Sequence, residues 1–198
     1  MPVPVATTTT LAVSGARRVG APVTLTATVH PAGSSGTVHF RDGTAEIGSV
    51  AVLAGSARFR TSALGGGVHS LTAQFTPGSA GSAPSTSGPV LIKVLRWTSK
   101  TLLTLSSRSG PAGAAVTASV EVRGGFGTPS GAVEILDHGK VIATGMLVVV
   151  AGRRSTVAIT LAGTLAAGRH TLTAVFAGND VLYLSRGSAS YRVGPPRT

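Results

Sequence analysis

The chain of 198 residues contains no cysteine. That excludes a disulfide framework, a thiolate zinc site, an iron–sulfur cluster and a cysteine nucleophile. Acids are scarce too: six Asp and Glu stand against 17 Lys and Arg, for a formal net charge of +11. So few carboxylates argue against a dedicated calcium cage or a paired-carboxylate hydrolase. Aromatic residues make up 4%, few for a surface that stacks bases. The longest apolar run, Met146 to Ala151, has six residues. A membrane helix needs ~18–20, so membrane insertion is not expected. Met1-Pro2-Val3-Pro4-Val5 lacks a basic start followed by an apolar core, and no secretory signal is read there.

The hydrophobic share is 42%, too high for a disordered chain. It comes from small and branched residues, mainly Val, Ala and Leu, interrupted by 27 Gly and 11 Pro. The length suits one large domain or two domains of about 100 residues.

Internal self-similarity decides for two. Val23 to Val29 (VTLTATV) matches Val116 to Val122 (VTASVEV) at an offset of 93. Ser35 to Asp42 matches Ser130 to Asp137 at an offset of 95. Gly67 to Phe75 (GVHSLTAQF) matches Gly168 to Phe176 (GRHTLTAVF) at an offset of 101. The chain reads as an extended arm (1–6), a first domain (7–95), a short linker (96–99), a second domain (100–193) and a tail (194–198).

Within each copy the period is two. Val23, Leu25, Ala27 and Val29 alternate with Thr24, Thr26 and Thr28, which places one face on a core and the other in water. Turn residues punctuate the pattern at 8–12 residue spacing, among them Asp42-Gly43, Gly65-Gly66-Gly67, Asp137-His138-Gly139 and Gly178-Asn179-Asp180. Such spacing marks an all-β sandwich. Strands are expected over 7–13, 22–30, 37–41, 46–53, 56–61, 68–75 and 88–94, and again over 101–106, 114–122, 131–136, 140–149, 154–161, 169–176 and 188–193. The fold class is all-β: two tandem immunoglobulin-like β-sandwiches of about seven strands each, without disulfides.

Several stretches resemble bacterial Ig-like domains, a family that runs in arrays on bacterial surface proteins and occurs in phage structural proteins. They are Thr7-Thr8-Thr9-Thr10-Leu11, Pro22 to Val29, Gly36 to Phe40 with Asp42-Gly43, Gly67 to Ala73, Ser130 to Ile135, and Phe176 to Asp180 with Tyr183 and Ser185. The resemblance covers nearly the whole chain and bears on fold far more than on function. It implies that Leu71 and Leu172 stand where antibody domains carry a Cys, so the cores rest on aliphatic packing. It also implies that His69 and His170 take the place of the corner tyrosine, with a ring nitrogen bonding back to the backbone. Copy one departs from the pattern at Pro77 to Ser82, where a more flexible loop is expected.

No catalytic constellation is legible. A Gly-x-Ser-x-Gly elbow after a strand is missing, and Asp42 and Asp137 read as turn residues. No metal site and no cofactor are expected, because His30, His39 and His138 lie on other strands or turns than His69 and His170. Specific nucleic-acid binding is disfavoured: residues 1–97 carry +5 and residues 98–198 carry +6, so the charge is general. Phe40, Phe75 and Phe176 also sit at core-facing positions. Trp97 in the linker is expected in the groove between the sandwiches, with contact to a partner as the alternative. Arg58, Arg60, Arg153 and Arg154 lie on or next to equivalent strands and are expected to meet solvent or an acidic partner.

The expectation is a non-catalytic structural and interaction protein that displays two modules outside a larger assembly. A phage virion surface is favoured, as head decoration or tail accessory, since virion proteins need no export signal. The alternative is a piece of an extracellular or cell-surface repeat adhesin, and the third reading is a non-specific polyanion binder. The partner would be a capsid, tail or cell-envelope protein, with surface glycans as a further class.

Overall fold

The computed structural model describes residues 3–161, 163 and 165–195. The expected arm at 1–2 and tail at 196–198 lie outside the described residues. The chain divides into two compact units, Met1–Leu95 and Arg96–Thr198.

In the first unit, β1 (Thr8–Gly15), β2 (Val23–His30) and β5 (Ser56–Thr61) form an antiparallel sheet in the order β1-β2-β5. The second sheet runs β4 (Ala45–Ala51), β3 (Gly36–Asp42), β6 (Gly67–Pro77). Its far edge is closed by β7 (Ser85–Thr86) and β8 (Val90–Val94), which both pair with β6. The alternation of β2 places Val23, Leu25, Ala27 and Val29 inside, facing Val38, Phe40, Leu71, Ala73 and Phe75, all at 2% exposure or less. Each large aliphatic or aromatic side chain so buried contributes ~1.5–3 kcal/mol against conformational entropy.

The second unit repeats the plan. One sheet is ordered β14 (Val148–Ala151), β15 (Arg154–Leu161), β11 (Val116–Gly124), β9 (Ser99–Leu105). The other is ordered β10 (Ser109–Gly110), β17 (Ser185–Val193), β16 (Gly168–Phe176), β12 (Ala132–Asp137), β13 (Lys140–Met146). Val120, Val122, Val133, Ile135, Leu172, Ala174 and Phe176 form its core.

Two strand expectations need correction. The stretch 140–149 is two strands: β13 pairs with β12, and after Leu147 the chain crosses to pair as β14 with β15 in the other sheet. Leu147 N donates to Gly131 O (3.0 Å) at the crossing. The last strand of copy one is broken at Ser87-Gly88-Pro89, because Pro89 has no N–H to give the ladder. Ser87 fills the gap, donating through N to Ala73 O (2.9 Å) and accepting Ala73 N at Oγ (3.0 Å). The far end of the Pro77 to Ser82 loop is tied to the N-terminal stretch: Val5 N donates to Gly81 O (3.0 Å) and Ala83 N to Val5 O (2.9 Å).

Candidate functional site

Each sandwich ties a histidine between a strand end and a loop. His69 Nδ1 lies 2.6 Å from Asp42 Oδ2, and Nε2 lies 3.0 Å from Gly65 O. In the second unit His170 Nδ1 lies 2.7 Å from Asp137 Oδ2, and Nε2 lies 2.8 Å from Ala166 O. A carboxylate and a carbonyl both accept, so a ring that satisfies both donates from both nitrogens, as imidazolium does. Burial is the largest influence on His69 and favours the neutral ring. The bonds to Asp42 and Gly65 and the Asp42 charge together outweigh it, and the pKa stands above its usual value. His170 is raised as well, first by the Ala166 bond, with burial opposing and Asp137 adding.

The resemblance accounted for the carbonyl bonds but not for the aspartates, which read as turn residues. The missed signal was in the repeat, since both copies hold Asp at the end of one strand and His near the start of its neighbour. Register then joins them: Asp42 pairs with Leu71 and Asp137 with Leu172.

The two corners differ in one respect. Ser70 N donates to Asp42 Oδ1 (3.2 Å), whereas Asp137 Oδ1 is buried and has no hydrogen-bond partner. His138 Nδ1 lies 2.9 Å from that oxygen, and its ring stands edge-on to His170, centroids 5.9 Å apart. The expectation that His138 lies apart from His170 is therefore corrected: the hairpin β12–β13 carries His138 to the corner.

Trp97 is part of the second unit. Its N donates to Val181 O (2.8 Å) and its O accepts Tyr183 N (2.8 Å), and its ring stacks on Phe126 at 5.5 Å. Of the expected linker, Trp97 and Ser99 thus hold ladder or bridge positions of the second sandwich.

The arginines fall into two groups. Arg58 and Arg60 are exposed on β5, the edge of its sheet, and line an open depression with Gly15, Pro22 and Thr24. Arg153 and Arg154 border a second depression with Arg123 and Gly124. The strands correspond, but the positions do not. Arg60 pairs with Thr24 and Thr160 with the matching Thr117, so Arg154 sits near the opposite strand end.

Tertiary register adds cations that the linear reading missed. Lys100, Arg123 and Arg154 stand directly opposite one another on β9, β11 and β15. All three are exposed. Adjacent strands lie about 4.8 Å apart, and like charges directly opposite one another repel. Glu121, on the same face of β11, ion-pairs with Arg123 and with Arg154 (2.7 Å). Its carboxyl is held below the usual range, foremost by the Arg123 hydrogen bond. Arg153 Nη1 donates to Gly125 O (2.6 Å).

Two packed β-sheets, antiparallel but for the β10–β17 pair, a core without sulfur bridges and a second copy of the same plan define a tandem Ig-like protein. The family model of the bacterial Ig-like domain (group 3) matches residues 7–95 and again 103–194. The chain belongs to that family. No curated protein matches it. Among solved structures it is similar to the fibronectin(III)-like modules of Clostridium thermocellum CbhA, at 19% identity, 94% coverage of each chain and a TM-score of 0.41. It is similar to the mouse nectin-like molecule 4 ectodomain at 13% identity, with 96% of this chain and 65% of that one covered and a TM-score of 0.35. The human OSCAR ligand-binding domain matches at 17% identity, 93% and 97% coverage and a TM-score of 0.32.

Proposed function

We propose that the chain is a non-catalytic interaction protein that presents two Ig-like modules on the outside of a larger assembly and meets an acidic partner through the basic row of its second sandwich. The observation that carries this reading is the alignment of Lys100, Arg123 and Arg154 with one carboxylate, Glu121, among them. The cores are filled by Val, Leu, Ile and Phe, so recognition belongs to the surface. A facing carboxylate or phosphate surface would relieve the repulsion along the row, and guanidinium groups bind such oxygens in bidentate geometry. Arg58 and Arg60 add an independent basic edge on the first sandwich.

Two settings fit outward display: a phage virion, as head decoration or tail accessory, and a bacterial cell envelope or secreted repeat array. Membership in the bacterial Ig-like family supports display and is compatible with both. In either setting the partner is a capsid, tail or envelope protein, with acidic surface glycans as the second class. The test is immunogold labelling of virions and cell envelopes purified from the native source. Label on virion heads or tails supports the first setting, and label on envelopes the second. Label confined to the cytosol overturns the proposal. Binding to the labelled assembly should fall at least tenfold in R123E/R154E. Unchanged binding would remove the basic row from the reading, and equal loss with any polyanion would favour non-specific attraction.

A further inference from the structure

The corner of the second sandwich holds more polar groups than the fold needs. In the first sandwich Asp42 is fully used: Oδ2 meets His69 and Oδ1 accepts Ser70 N. There the turn residue after Asp42 is Gly43, at φ +56°. In the second sandwich Asp137 Oδ1 is buried without a hydrogen-bond partner. The matching turn residue is His138, at φ +48°, in a left-handed conformation that Gly occupies at lower cost. Two departures from the sister copy thus coincide, a carboxylate oxygen without its backbone donor and an imidazole at a glycine position. They meet at 2.9 Å, His138 Nδ1 to Asp137 Oδ1, at ion-pairing distance.

We propose that Asp137, His138 and His170 form a binding site for a borderline divalent transition-metal ion of the Zn²⁺ class. One ligand atom from each lies within 4.8 Å of the others, close enough for an ion with bonds of about 2.0–2.2 Å after small side-chain rotations. His170 is already oriented for this role. Its Nε2 donates to Ala166 O, the arrangement that fixes a metal-binding imidazole and turns its other nitrogen to the ion. Coordination through Nδ1 requires the proton that this nitrogen shares with Asp137 to leave to solvent as the ion binds. His138 is largely exposed, 73% of its side chain, which supplies a path of entry. Two imidazoles and one carboxylate suit zinc, nickel or copper, whereas calcium demands six to eight oxygens. Three protein ligands leave further positions for water or for a donor from a partner molecule.

The sister corner is an internal control, because Asp42 and His69 lack a third ligand beside Gly43. His138→Gly reproduces that turn and relieves the left-handed backbone, so the variant is expected to fold as the parent does. The experiment is calorimetric titration of the whole chain with zinc chloride, alongside nuclear magnetic resonance of the histidine rings. One saturable site per chain is expected, with the His138 and His170 rings shifted and the His69 ring unmoved. The dissociation constant should rise by roughly tenfold or more in His138→Gly, the scale of losing a group that matters to a metal site. Absence of saturable binding, equal affinity in His138→Gly, or two equivalent sites per chain would each overturn the proposal.

Discussion

Val5 and Trp97 occupy the same place in the two sandwiches. Val5 bridges Ser82 and Trp97 bridges Leu182, both in parallel. Each donates from N and accepts at O with the same pair of backbone partners one hundred residues apart, Gly81 and Ala83 for Val5, Val181 and Tyr183 for Trp97. Each precedes a hydroxyl cluster at the start of the first strand, Thr7 and Thr9 with Ser85 in copy one, Ser99 and Thr101 with Ser185 in copy two.

Trp97 therefore acts first as a packing residue of the second sandwich. Trp97→Ala removes the stack on Phe126 and should lower the stability of that unit by about 1–3 kcal/mol, while Trp97→Phe should keep most of it. Differential scanning calorimetry of the full chain reads the effect. Equal unfolding profiles for parent and Trp97→Ala would contradict it.

His69 predicts a pH dependence. Its pKa is raised on folding above the ordinary imidazole value of 6.5, so folding takes up proton and the stabilisation is fully present below about 6.5. It declines as pH rises through the folded value. The difference in unfolding free energy between the parent and His69→Phe should be largest near pH 5.5 and shrink toward pH 9. Hydrogen bonds to a charged group set its scale at ~1.5–3 kcal/mol. A difference that grows with pH would show that the ring is neutral in the folded state.

Gly48 lies under an aromatic ring. A Cβ at that position would stand 2.5 Å from Phe59 Cζ, and Phe59 itself stacks on the buried Phe40 at 5.6 Å. Gly48→Ala should cost about 1–3 kcal/mol through overpacking. Adding Phe59→Leu should return part of the loss, measured by urea denaturation of the single and double variants.

The crossing at Leu147 leaves β14 as an apolar edge strand. Val148, Val149 and Val150 are 54–66% exposed, and their strand ends its sheet. Exposed apolar edges recruit further strands. Val149→Lys should change stability by less than ~0.5 kcal/mol and should reduce self-association at high concentration. Sedimentation velocity at graded concentrations decides this, and unchanged association in the variant would assign the contact elsewhere.

Much of the fold was legible in the residues because strand character is a local property. The alternation of Val23, Leu25, Ala27 and Val29 with threonines dictates one buried face whatever lies opposite it, and the repeat of that pattern at Val116 to Val122 dictates a second sandwich. Absence of cysteine determined that the cores are held by packing alone. Lateral register is not local. Nothing in the order of residues near Lys100, Arg123 or Arg154 says that three cations share one row, because that depends on how β9 and β15 slide along β11. Likewise the meeting of His138 with His170 follows from a hairpin folding back beside a strand 30 residues later, and the sheet change at Leu147 shows only in the pairing of β13 with β12 and of β14 with β15. The sequence determined which faces are buried. The tertiary structure decided which exposed groups became neighbours, since charge repulsion and metal affinity act across strands rather than along them.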